Sequence, residues 1–188
     1  MTMLNRLREE TREIHEALES KNLAQKIIDH SINHEEYLLL LLQNFQAYRK
    51  TEKLLQKYLN FHPFLKAERI KKDLENLGVK NPDFFWDFPF ECKDEIEALG
   101  IAYVVEGSAM GGMMIGKQIK YCGALHGLPE QYFYNASKEN AKGWNKFQKE
   151  IRNRDFSEQE TQLASQKAIE TFRLFEAAFK IERSLSNQ

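Results

Sequence analysis

The sequence predicts an all-α fold, with helices packed around one core. Three observations carry this. Apolar residues recur at spacings of three and four. No stretch shows sustained period-2 alternation rich in Val, Ile and Thr. Breakers are few, with nine Gly and four Pro in 188 residues. The length suits a single domain over residues 1–188. A composition that is 42% apolar can build a core without disulfides or a structural metal.

Each element has its own signal. Leu4, Leu7, Thr11, Ile14 and Leu18 form one stripe of a first helix, with Glu and Arg on the other face. A short helix is expected over Asn22 to His30. A long one follows over about Asn33 to Leu59, with Asn33 as N-cap and Glu35 and Glu36 near its positive end. Ala67 to Leu77 is stopped by Gly78 at the usual cap position. Pro82 to Pro89 breaks helix and carries Phe84, Phe85, Trp86 and Phe88, aromatics suited to plugging the end of a bundle. Helix resumes from Lys93 to Cys122. Gly123 and Gly127 then mark a loop, and Pro129 suits the first turn of a helix reaching Arg152. Ser157 with Glu160 reads as a capping box that opens the last helix, with Ile169, Phe172, Phe175 and Phe179 turned inward.

Composition excludes several functions. A net charge of −1 gives no field that would favour nucleic acid. The apolar run Leu38 to Leu42 falls far short of the ~18 residues of a membrane span, and the N-terminus carries no apolar signal region. A cytoplasmic protein is therefore expected. Cys92 and Cys122 belong to no CxxC or CxxCH pattern, so zinc ribbons and covalent c-type haem are unsupported. HExxH, GxSxG and GxxxxGK[ST] are all absent. No histidine has a Glu three positions before it, which removes the ExxH pair of di-iron bundles.

Two segments say more. Tyr103 to Gly116 holds four of the nine glycines: Gly107, Gly111, Gly112 and Gly116. Each interior glycine costs about 1 kcal/mol against alanine, so something must compensate. Gly107 and Gly111 share one helix face. That face suits close helix packing, a break into loop, or a flat ligand lying against the backbone. Met110, Met113 and Met114 in the same segment suit core filling, aromatic contact or metal ligation. The second segment is the first helix. His15 borders its apolar stripe, and Glu19, four residues on, can accept a hydrogen bond from the imidazole and orient it. A half-buried surface histidine satisfies the same pattern. His30 and His34 are also four apart, spaced for a divalent ion or simply solvated. His62 and His126 read as loop residues.

A histidine in the first helix and a glycine-rich later helix, in an all-α chain of this size, resemble haem oxygenase. Leu7-Arg8-Glu9-Glu10-Thr11-Arg12-Glu13-Ile14-His15 resembles the family's proximal helix. Glu106-Gly107-Ser108-Ala109-Met110-Gly111-Gly112 resembles its distal helix, in the EGS form of bacterial members, including those that supply bacteriophytochromes. Trp144-Asn145-Lys146-Phe147 resembles a WxxF stretch of the same members.

The resemblance implies a helical bundle with haem (iron protoporphyrin IX) between the proximal and distal helices, as both cofactor and substrate. It implies O2- and electron-dependent cleavage to biliverdin, CO and ferrous iron. His15 corresponds to the axial iron ligand and Glu19 to the carboxylate that orients it. Arg8 falls where the family places a basic residue for a propionate, and Tyr103 where bacterial members place a propionate-contacting tyrosine. Lys146, within the WxxF stretch, is a further candidate for binding the cofactor. Gly107, Gly111 and Gly112 correspond to the glycines of the distal face. Ser108 stands where mammalian-type members carry an aspartate that anchors distal water. No flavin or nicotinamide motif is present, so electrons come from an external donor such as a ferredoxin, a flavodoxin or another reductase. A bacteriophytochrome is the implied acceptor of biliverdin.

Lys117 to Arg154 carries eight Lys/Arg against three Glu, a basic region suited to an acidic donor or simply to solvation. Three rival readings remain: a haem-binding or trafficking protein on the same fold without turnover, a TenA-like enzyme that would use Cys122, and a helical interaction module with an empty or vestigial slot.

Overall fold

The structure is a computed structural model that describes residues 1–84 and 86–182; Phe85 of the aromatic connector lies outside the described residues. Among the described residues there are helices and no strand. The α-helices are α1 (Met3–Glu19), α2 (Ala24–Ile28), α3 (His34–Tyr58), α4 (Lys66–Asn76), α5 (Glu95–Gly107), α6 (Ala109–Gln118), α7 (Lys142–Arg152) and α8 (Glu158–Ala178). Short 3-10 turns occupy Ile119–Tyr121, Gly123–Leu125 and Lys138–Ala141.

Local chemistry sets several of the ends. The Asn33 side chain accepts from the Glu36 N–H while the Glu36 carboxylate accepts from the Asn33 N–H, and Ser157 and Glu160 repeat that box at α8. Gly78, at φ +88°, ends α4 with the Val79 N–H bonded back to the Leu74 carbonyl. His30 does the same for α2 at φ 58°, a left-handed position more often given to glycine or asparagine.

The core forms where α8 lies along α5 and α1, with α3 and α4 packed beside them. On α1 it takes Leu4, Leu7 and Thr11 fully and Ile14 and Leu18 in part, the stripe read from the sequence. Between Leu40 and Tyr48, α3 is buried all round. Its polar residues there must therefore find partners: Gln43 donates to the Phe179 and Ile181 carbonyls, Gln46 to the Pro82 carbonyl and Asn44 to the Leu40 carbonyl. Trp86 and Phe88 stack, and the Lys50 ammonium lies 5.2 Å from the Trp86 ring centroid. Ile169 is only partly buried, whereas Phe172 and Phe175 are core residues.

Two expected boundaries are corrected. The helix expected over Lys93 to Cys122 is two helices meeting at Ser108, followed by a 3-10 turn. The helix expected from Pro129 begins only at Lys142. The buried Asp73 carboxylate takes the Tyr132 and Phe133 N–H groups, at 2.7 and 2.9 Å, away from any helical ladder. Residues 126–137 thus form a strap across α6. The stretch Glu95–Tyr121 is also long and apolar enough to cross a membrane by length and composition. Glu106 and the glycines divide it into short apolar runs, and half of its most apolar part is buried in the fold.

Glycine fixes the closest crossing. A Cβ on Gly100 would collide with the Ala164 carbonyl oxygen of α8. Gly100→Ala gains about 1 kcal/mol of helix propensity but forces apart two buried backbones, a strain of about 1–3 kcal/mol. A lowered melting temperature is expected, and an unchanged one would show that the crossing yields.

Candidate functional site

A cleft of about 700 Å3 opens between α1, α8 and the α5–α6 junction, within the usual size for a small-molecule site. α1 contributes His15, Leu18 and Glu19. α8 adds Phe172, Phe175 and Phe179. The distal wall is Tyr103, Val104 and Gly107 of α5, with Ser108 and the α6 residues Met110 to Ile115. Asn44 and Tyr48 of α3, and Phe133 and Tyr134 of the strap, line it too. The lining is mostly apolar and aromatic, with polar and charged side chains set among it.

His15 reaches the cleft because the α1 stripe turns toward α8: its ring lies 5.5 Å from that of Phe172. Half of its side chain stays accessible, and its Nε2 lies 3.1 Å from a Glu19 carboxylate oxygen, one turn on. The expected pair is present on one helix face.

The glycines divide by job. A Cβ on Gly111 or Gly112 would meet nothing within 4 Å, so both present bare backbone to open space. A Cβ on Gly107 would only touch Trp144, at 3.7 Å. Gly116 is different: a Cβ there would fall 2.6–2.8 Å from the Asn135 backbone, so this glycine lets the strap cross α6. Met110 and Met114 are exposed at the lip of the cleft.

Ser108 sits at the junction of α5 and α6. Its hydroxyl donates to the Val105 carbonyl at 2.8 Å and accepts from the Tyr48 hydroxyl at 2.8 Å. The Lys66 ammonium donates to Ser108 Oγ at 3.2 Å and also to the Val105 carbonyl. Lys66 is buried, with burial pushing its pKa down, and Glu106 and Glu52 face it. The Glu52 carboxylate accepts the Lys66 and Ala67 N–H groups at the start of α4, and burial pushes its pKa up to about 7. Burial also raises the Tyr48 hydroxyl, which stays protonated.

The cleft therefore brings together His15, Glu19, Tyr103, Gly107, Ser108, Gly111 and Gly112. Arg8 and Lys146 are exposed and do not line it. The cations that do are Lys66, Arg69 and Lys117. Sequence reasoning missed Tyr48, Asn44, Lys66 and Arg69, whose place depends on α3 and α4 packing behind the distal wall. Cys122 is fully buried outside the cleft, with its thiol pushed up by burial, so it supplies no nucleophile there. His30 bonds Gln118 at 2.9 Å, and among the described residues no group of three or more His, Cys, Asp or Glu is placed to hold a metal ion.

No curated protein matches the chain by sequence. A solved structure, the NO- and CO-bound heme oxygenase from Neisseria meningitidis, shares the fold with a TM-score of 0.75 at 18% identity. The match covers 96% of this chain and 91% of that one. The family model described as Heme oxygenase matches residues 90–181, the part that holds α5 to α8. That match spans just under half of the chain, on a fold shared along nearly the whole length, and the two comparisons point to the same family, haem oxygenase.

Proposed function

We propose that the chain cleaves haem to biliverdin, CO and ferrous iron within a single domain. One observation carries the reading: a histidine oriented by a carboxylate and a glycine face with open space before it share one large apolar cleft. The cleft fits a wide apolar plate, because aromatics line its floor and no side chain projects from Gly111 or Gly112.

With O2 and electrons from an external ferredoxin, flavodoxin or other reductase, bound haem supplies the redox chemistry. The chain's own residues do the rest. His15 offers an imidazole nitrogen to the iron, and Glu19 fixes the ring's direction. Gly111 and Gly112 keep the distal face free of side chains. Ser108 holds a proton at Oγ beside the cleft, and Tyr48 and Lys66 fix that hydroxyl in place of the aspartate of mammalian-type members. The apolar lining excludes bulk water. Arg69 and Lys117 are the cations at hand for propionates, with Arg8 and Lys146 further out. Export of biliverdin to a bacteriophytochrome belongs to the same reading.

The test is a hemin titration of the pure chain, then ascorbate under air. Stoichiometric binding with a histidine-type ferric spectrum is expected, then loss of the Soret band with growth of bilin absorbance. A Soret band that survives reduction would leave a haem carrier. A free-hemin spectrum in excess protein would remove the reading altogether.

A further inference from the structure

Behind the junction of α5 and α6 lies a second cavity of about 20 Å3, walled by His62, Lys66, Arg69, Glu106, Asn140 and Gly143. It shares Lys66, Arg69 and Asn140 with the large cleft, so these side chains face both spaces. A single water needs roughly 10–15 Å3 and two to four polar partners, and this chamber offers both.

Two observations point to such a ligand. Nδ1 of His62 is buried and has no hydrogen-bond partner among the described residues. The charged groups around Glu106 stand just beyond hydrogen-bond length: His62 Nε2 is 3.9 Å and Lys66 Nζ 3.8 Å from the same carboxylate oxygen. One bridging molecule closes gaps of this kind. Glycine keeps the chamber open, since a Cβ on Gly143 would collide with the Glu106 carboxylate and lie 2.6 Å from His62 Nε2. The ends of the series differ in exposure. The His62 side chain is 18% exposed, Glu106 is 2% and Lys66 10%, and Ser108 lines the cleft.

We propose that this chamber binds one water and that His62, Glu106 and Lys66 pass protons through it from solvent to Ser108, an inference that rests on the haem-cleaving reading because that reaction consumes protons. One proton binds His62 Nε2, the ring nitrogen that faces Glu106, and leaves from the same nitrogen through the water to the Glu106 carboxylate. Glu106 returns it to Lys66 as the Lys66 ammonium releases one to Ser108 Oγ. The Ser108 hydroxyl, turning from the Val105 carbonyl, gives its own proton to the cleft. The net result is one proton moved, with every group restored and no electron transferred. Burial lowers the pKa of both His62 and Lys66, so each releases a proton more readily than it would in water. The charges facing the series are Glu52 from α3, Arg69 from α4, Glu139 from the turn before α7 and Lys146 from α7.

Two measurements decide it. In the hemin-free chain, nitrogen-15 NMR follows the histidine rings against pH. Burial lowers the His62 titration and the Glu106 carboxylate works against that, so Glu106→Gln should lower its midpoint further. An unmoved His62 midpoint overturns the chamber, and this arm needs no hemin, so it stands even if the chain takes up none. With hemin bound, Glu106→Gln and His62→Gln should keep one hemin per chain and the wild-type ferric spectrum. Soret loss under ascorbate and O2 should slow by about a hundredfold, with an altered solvent deuterium effect. Hydrogen peroxide, which brings its own protons, should restore bleaching to within about twofold of wild type. Rates under ascorbate within about twofold of wild type in both variants, or slow bleaching that peroxide does not restore, would overturn the relay. If Glu106→Gln does not fold, His62→Gln, at the exposed end, decides the relay by the same two rates.

Discussion

His15→Ala is expected to nearly abolish ring cleavage while leaving some hemin bound. The methyl group of alanine offers iron no ligand. The cleft still buries an apolar plate against Phe172 and Phe175, so binding is weakened rather than lost. Added imidazole should enter the space left by the ring and restore part of the rate. Glu19→Ala isolates the orienting carboxylate, which lies 3.1 Å from His15 Nε2 on an exposed edge. Loss of such a partner typically costs about 10–100-fold in metal affinity or activity, and the His15 loss should exceed that. The decisive comparison is the ferric spectrum of His15→Ala beside those of His30→Ala and His34→Ala. A wild-type spectrum in the first with a lost one in either of the others would reassign the ligand.

Gly111→Leu should separate folding from activity. A Cβ there meets nothing within 4 Å, and leucine is the better helix former by roughly 1 kcal/mol, so the melting temperature should hold or rise. The four-carbon side chain has only the cleft to enter. It would displace the ligand plate or block the space before the glycine face. A misplacement of 1 Å at a reacting centre can cost about a hundredfold, and this side chain is larger than that. Wild-type turnover in this variant would show that the glycine face does not meet the substrate. Gly116→Leu is the instructive contrast, because it should damage the fold through the Asn135 backbone.

Much of this was legible in the chain itself, for identifiable reasons. The α1 stripe, the boxes at Asn33 and Ser157 and the cap at Gly78 depend on neighbours within a few residues, and the sequence displays those neighbours. The start of α7 was not legible. Pro129 is a sound local signal, but the amides after it are claimed by Asp73, some 60 positions earlier in the chain. The glycines of α6 were visible as a cluster, yet their sequence does not say that Gly111 faces open space and Gly116 a crossing backbone. Lys66 and Arg69 look like ordinary surface cations of a short helix. Nothing local marks Lys66, because its partners Val105 and Ser108 lie 39 and 42 positions further along the chain.

The open cleft has a thermodynamic consequence for the protein's life in turnover. A ligand held only by the folded chain stabilises it by mass action, about 4 kcal/mol at a thousand times its dissociation constant. On the proposed reading, that ligand is consumed. A chain that destroys its own stabiliser returns after every cycle to a fold with Met110, Met114 and an aromatic floor facing water. Its lifetime under working conditions is then set by the supply of substrate, and a starved protein should melt lower than a fed one.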